Sequence, residues 1–125
     1  MGYESRIYVV EKSRCSWTDE NGRRYARKLA EINMSKCHEL SGILRHKPAT
    51  DCYIYADDGN TQIIKDCYGE ALKETPLNEA LEIVEDVIAR SPWDYWMYDV
   101  LRATLQSIYD FVGDDDSFVV LHYGY

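Results

Sequence analysis

Positive charge is scarce over most of this chain. Residues 51–125 carry four basic side chains, Lys65, Lys73, Arg90 and Arg102, against sixteen acids. Residues 1–50 carry ten basic and six acidic residues, so the net charge of −8 divides into +4 and −12. The shortage argues against a general nucleic-acid binder and against a protein held on an anionic membrane, since both need a positive excess. Long apolar runs are also missing. The start, Met1-Gly2-Tyr3-Glu4-Ser5-Arg6, holds no stretch of signal-peptide length, and no run approaches a membrane span. An ordinary cytosolic protein is therefore expected.

The absences extend to chemistry. Linkers, repeats and low-complexity stretches are lacking, which predicts a single domain over residues 1–125. The cysteines Cys15, Cys37, Cys52 and Cys67 include no CxxC pair, so reduced thiols are expected rather than a zinc site. Cys37 and His38 are adjacent, and on a strand such neighbours point to opposite faces. The seven glycines form no phosphate-cradling loop, and no Gly-x-Ser-x-Gly elbow is present. The histidines His38, His46 and His122 are not spaced to mark a base for a thiol nucleophile. Asp57-Asp58-Gly59-Asn60 starts like a calcium loop, but the twelfth position is Tyr68 or Gly69 instead of Glu. No catalytic residue, no metal and no cofactor are therefore expected, and the chain reads as a binding protein rather than an enzyme.

What is present suffices for a packed domain. Of 125 residues, 46% are apolar and 29% charged, and eleven are tyrosine. A chain of this size buries about two-thirds of its unfolded surface, so it needs no metal or disulfide staple to fold. Ser5–Lys12 is a first strand, with Ile7, Tyr8, Val9 and Val10 as strand formers. Residues 23–37 fit two templates. Tyr25, Leu29 and Ile32 share a helical face, whereas Ala26, Ala30, Ile32 and Met34 alternate as a strand would. After the turn at Asn21-Gly22, a second antiparallel strand is the expectation. Cys52–Ala56 and Thr61–Lys65 flank Asp57-Asp58-Gly59-Asn60 and predict a hairpin.

Two helices follow. Thr75-Pro76 and Ser91-Pro92 are start signals, a capping oxygen followed by a proline suited to the first helical position. Leu77, Ala80, Leu81, Val84, Val87 and Ile88 form one apolar stripe. Trp93, Trp96, Met97, Val100, Leu101, Leu105, Ile108 and Val112 form another, with Trp93 and Trp96 expected in the core and Tyr95 and Tyr98 at its exposed flanks. Gly113 stops the second helix. Phe118–His122 is a continuous apolar strand expected inside the sheet. The fold class is α+β: a mostly antiparallel sheet of four to five strands with two amphipathic helices packed on one face.

Two charged groups are candidate sites. Asp114, Asp115 and Asp116 follow a helix C-terminus, where each costs the helix about 0.3–1 kcal/mol at low salt. Glu82 and Asp86 are a like-charge pair four apart, costing about 0.2–0.5 kcal/mol. Local folding does not ask for these charges. A solvated acidic face is the plain explanation. The functional one is a surface of Glu79, Glu82, Glu85, Asp86, Asp114, Asp115 and Asp116 that docks on a basic partner, its carboxylates standing in for phosphates. The second group is Arg23, Arg24 and Arg27. With tyrosines nearby, it could hold a phosphate-bearing small ligand, because Arg binds phosphate bidentately and aromatics stack on bases.

The opening MGYESRIYVVEKS (Met1–Ser13), the middle TDCYIYADDGNTQIIKDCYGE (Thr50–Glu70) and the ending VVLHYGY (Val119–Tyr125) resemble a group of small phage and prophage proteins of Gram-positive bacteria. The resemblance covers about forty residues, leaves out both helices and brings no site residue with it. It implies a phage origin and the cytoplasm of a bacterial host. Small acidic phage proteins are often inhibitors of host defence, with anti-CRISPR proteins as the nearest analogy. The expected function is therefore a phage-encoded inhibitor that binds a basic, nucleic-acid-binding host protein through its acidic helical half, without touching nucleic acid or membrane itself. The alternatives are a sponge for nucleotide signals built on Arg23, Arg24 and Arg27, and a homo-oligomeric accessory protein.

Overall fold

The computed structural model describes residues 4–12, 24–35, 47–48, 52–67, 69–90 and 96–124. Its strands are β1 (Glu4–Lys12), β2 (Arg24–Ser35), β3 (Lys47–Pro48), β4 (Cys52–Tyr55), β5 (Gln62–Ile63), β6 (Lys73–Pro76) and β7 (Phe118–Gly124). Between β6 and β7 lie the helices α1 (Leu77–Arg90) and α2 (Trp96–Val112). The strands form one sheet in the order β3-β6-β7-β1-β2-β4-β5. Every pairing is antiparallel except β2 with β4, which run parallel over Arg24–Cys52 and Tyr25–Tyr53. The class is α+β with a mostly antiparallel sheet.

The sheet is larger than the four to five strands expected. Two of its seven strands are only two residues long, and β6 occupies the expected helix start. Thr75 pairs with Val120 and Pro76 with Val119, and the helix begins one residue later. A β-branched Thr, fully buried, suits a strand, and a proline is tolerated at a strand's last residue.

Residues 24–35 are the second antiparallel strand, paired along β1 from Glu4–Ser35 to Lys12–Ala26. The register slips where Val9 faces Ala30 and Val10 faces Lys28, which leaves Leu29 as the extra residue of a bulge. Such a residue cannot alternate with its neighbours, and Leu29 is correspondingly exposed. The slip also reverses the faces. Ala30, Ile32 and Met34 pack with Ile7 and Val9 under the helices, while Ala26 joins Tyr8 and Val10 on the other side.

The sheet therefore has apolar clusters on both faces. One joins Ile7, Val9, Met34 and Val120 to Leu77, Ala80, Leu81, Val84, Val87, Tyr98, Leu101 and Leu105 of the helices. The other joins Tyr8, Val10, Ala26, Val119 and Leu121 to Ile54 and Leu72, with Ile63 packed against it. Strand β7 lies between β6 and β1, so its apolar run is interior, as expected. On the face opposite α1 and α2, Lys12 reaches across β7 to Glu74, with Nζ 2.7 Å from Oε2 and both side chains largely buried.

The hairpin is also as expected. Ile54 pairs with Ile63 and Tyr55 with Gln62. At its tip, Asp58 accepts hydrogen bonds from the Asn60 and Thr61 amides, both at 2.8 Å, and from the Thr61 hydroxyl at 2.6 Å. Gly59 has φ 74°, a conformation other residues adopt only with strain.

The α1 stripe is as expected, but the α2 stripe needs correction. Trp96 is 65% exposed and Val100 is 40% exposed, whereas Tyr98 is buried. The face that packs is Met97, Tyr98, Leu101, Leu105, Ile108 and Val112. Successive residues turn about 100°, which puts 96 and 100 well off that arc. Trp93 and Tyr95 lie outside the described residues.

Candidate functional site

The core-facing stripe of α1 fixes where its acids point. With Leu77, Ala80, Leu81, Val84 and Val87 buried, Glu82, Glu85 and Asp86 fall on the outward face and are exposed, while Glu79 is half-buried at its margin. Asp86 pairs with Arg90 at 2.6 Å. No cation pairs with Glu82, Glu85 or Asp116 among the described residues.

The C-terminal end of α2 brings a second set of acids close to α1. Gly113, at φ 64°, donates its amide to the Tyr109 carbonyl at 2.8 Å, a left-handed cap that ends the helix. Asp114 then accepts the Tyr109 hydroxyl at 2.8 Å. That hydrogen bond, the Asp114 charge and the Glu82 charge all push the Tyr109 hydroxyl pKa up. Glu82 of α1 and Asp114 after α2 therefore share one electrostatic neighbourhood.

The remaining two aspartates differ from each other. Asp115 is a turn former: its carboxylate accepts the Ser117 amide at 2.9 Å and its carbonyl accepts the Phe118 amide at 3.1 Å. Asp116 is exposed. Of the seven acids singled out, Glu82, Glu85, Asp86, Asp114 and Asp116 are thus outward-facing, while Glu79 and Asp115 are partly taken up by the fold.

Sequence reasoning missed an apolar component of the same surface. Phe111 is 91% exposed, and with Trp96 and Val100 it is among the exposed large apolar side chains. The signal was present as a four-and-three spacing through Trp96, Val100, Ala103, Ser107 and Phe111. A single-stripe template hides it, because that template merges Trp96 and Val100 with the core positions of the helix.

The basic candidates are less concentrated than expected. Arg27 is exposed, and its guanidinium lies 3.3 Å from Glu11, so part of its charge is answered. Arg24 contributes backbone pairing to Cys52, and Arg23 lies outside the described residues. Tyrosines do gather beside this strand end. Tyr25 lies 4.9 Å from Tyr55 and 6.0 Å from Tyr53, and Tyr53 lies 5.5 Å from Tyr55, all between ring centroids. Nearby, Lys28 sits over the Tyr8 ring at 5.5 Å and pairs with exposed Asp57 at 3.8 Å.

The other chemistry-bearing side chains are dispersed. His122 is buried on β7, and Cys67 is an exposed free thiol. Cys15, Cys37, His38 and His46 lie outside the described residues. Among the described residues, no three His, Cys, Asp or Glu side chains gather as a metal-holding group, and no helix is long and apolar enough to cross a membrane. No family model, no curated protein and no solved structure matches the chain.

Proposed function

We propose that this chain is a non-enzymatic binding protein that docks on a basic, nucleic-acid-binding protein through the outward surface of its two helices. The observation that carries this reading is the acidity of that surface. Residues 77–116 hold ten acids and two basic side chains, and Glu82, Glu85, Asp86, Asp114 and Asp116 point away from the core. Asp86 is answered by Arg90, but Glu82, Glu85 and Asp116 have no cation beside them among the described residues, and such carboxylates attract a positive surface and can occupy the place of phosphates on it. The resemblance to phage proteins makes a host defence factor, such as a CRISPR effector, the first partner class to test.

The experiment is a pull-down from bacterial lysate with a charge-neutralised control. The variant E82Q/E85Q/D86N/D114N/D116N leaves Glu79 and the turn-forming Asp115 intact. The wild type should retain a basic nucleic-acid-binding protein, duplex DNA should displace that protein, and the variant should not capture it. Capture that survives both neutralisation and excess DNA overturns the reading. A second reading, a nucleotide-signal sponge, draws support from the Tyr25–Tyr53–Tyr55 cluster, whose Tyr25 lies on β2 two residues before exposed Arg27. Calorimetry with cyclic nucleotides tests it, and no heat of binding at high ligand concentration removes it.

A further inference from the structure

We infer that the partner's contact segment is a basic amphipathic helix whose apolar face seats on an outward stripe of α2. This rests on the proposal that the helical surface is the docking face, and it adds what kind of segment docks there. At about 100° per residue, Trp96, Val100, Ala103, Ser107 and Phe111 fall within an arc of about 80°. All five are exposed. Tyr98, Leu101 and Leu105, which seat α2 on the sheet, lie on the opposite side of the helix. The two faces are therefore distinct, and none of the five outer side chains belongs to a core cluster among the described residues.

The shape of the stripe selects a helix. It runs about 22 Å along the axis, four turns, with large apolar groups at Trp96 and Phe111 and small ones at Ala103 and Ser107 between them. Small central residues let a second helix approach closely, and the terminal aromatics can fill the spaces between its side chains. Exposed aromatics on a rigid helix are also the side chains that dominate binding when they become covered.

Charge selects among the possible occupants. Asp99 and Asp110 border the stripe, and both are exposed. Arg102 lies 3.6 Å from Asp99, so it is already answered. Glu82, Asp114 and Asp116 extend the negative field around the C-terminal end. A second copy lying antiparallel on the stripe would set Asp99 of one chain against Asp110 of the other, and each copy carries −8. An anionic lipid surface is repelled in the same way. A helix with lysines or arginines flanking an aliphatic stripe answers both the apolar and the charged part of the surface.

The test uses three synthetic peptides of about 15 residues, long enough to span the stripe as a helix. One is a Lys/Leu peptide with its leucines on one helical face. The second has the same composition with the order scrambled. The third replaces Lys by Glu. Binding is measured by fluorescence anisotropy, with the protein's association state followed by sedimentation velocity. The amphipathic Lys/Leu peptide should bind at least about tenfold more tightly than the scrambled one, and the Glu/Leu peptide should not bind. W96A/F111A alters only exposed side chains; it should keep the wild-type circular dichroism and lose the tenfold preference. E82Q/E85Q/D114N/D116N should weaken both Lys-containing peptides. Equal binding of ordered and scrambled Lys/Leu peptides overturns the helix-docking inference but leaves the acidic docking surface standing. Absence of binding to both overturns the two together. A dimer that W96A/F111A abolishes makes a second copy the occupant and also overturns the inference.

Discussion

The Lys12–Glu74 pair allows a quantitative test of how the sheet is held. Its Nζ–Oε2 distance is 2.7 Å, and the side chains are 13% and 3% exposed. At an effective dielectric of about 20, two unit charges this close attract by roughly 6 kcal/mol. Most of that is offset by the cost of dehydrating both ions. The intact pair is therefore worth little, but either ion left alone is expensive. Removing one partner of a buried pair costs about 3–5 kcal/mol. Both residues take part in other interactions as well, which moves the expectation toward the lower figure. Urea unfolding of K12M and of E74Q should each show a loss near 3 kcal/mol, a large share of the roughly 5–15 kcal/mol that holds an ordinary domain. The double replacement K12M/E74L removes both charges from a face lined by Tyr8, Val10, Val119 and Leu121. It should be less destabilised than either single variant, as apolar replacements of buried pairs are, with the remaining loss set by the other interactions of the two residues. Additive losses in the double variant, or single losses below about 1 kcal/mol, would refute the reasoning.

The two faces of α2 should respond oppositely to truncation. L105A, fully buried, should cost about 2–5 kcal/mol in urea unfolding, whereas F111A should stay within about 0.5 kcal/mol of the wild type. G113A places a Cβ at φ 64° and should lower stability by about 1 kcal/mol, read as a drop in thermal midpoint. The Asp58 carboxyl is held at about 2, below the ordinary 3.8, by hydrogen bonds from the Thr61 hydroxyl and amide and the Asn60 amide. Its depressed pKa supports the hairpin fully above pH 4 and loses that support as pH falls toward 2. A carboxyl-carbon titration by NMR should give that low midpoint, and an ordinary midpoint would show that the turn bonds do not form.

Elements with one strong local signal could be read from the sequence. The Asp-Gly hairpin, the β7 run and the α1 stripe each carry a clear apolar pattern, and the hairpin adds a turn signal. Three features could not be read, each for a physical reason. The β2 bulge moves Ala26 to the face opposite Ala30, so even-numbered alternation through residues 26–34 was a false uniformity. Thr75-Pro76 satisfies both the end of a strand and the approach to a helix, and only its pairing with β7 decides which it is. The α2 helix carries apolar residues over two separate arcs, and a single-stripe template merges them. That last merger is what hid Phe111 and Trp96 from the candidate site. The acids themselves were visible in the sequence, but the turn role of Asp115 depends on its bonds to Ser117 and Phe118, which no spacing rule supplies.

Two kinds of residue that folding does not ask for lie on α2 and just after it, exposed apolar side chains and exposed acids. Among the described residues, α2 gives Tyr98, Leu101 and Leu105 to the core beside the α1 stripe, and Trp96, Val100 and Phe111 lie outside that cluster. Their exposure works against solubility. The acids beside them work against α2, since Asp114 and Asp116 follow its negative end. A face that served only to keep the chain soluble would carry the charges without the aromatics. A face that served only to imitate phosphates would need no apolar anchor either. Carboxylates give long-range attraction and orientation, while covered aromatics slow dissociation. The combination fits a partner that is both positively charged and apolar along one line. It also separates the two roles experimentally: neutralising Glu82, Glu85, Asp114 and Asp116 should act mainly on the association rate and its salt dependence, and truncating Trp96 and Phe111 mainly on the dissociation rate.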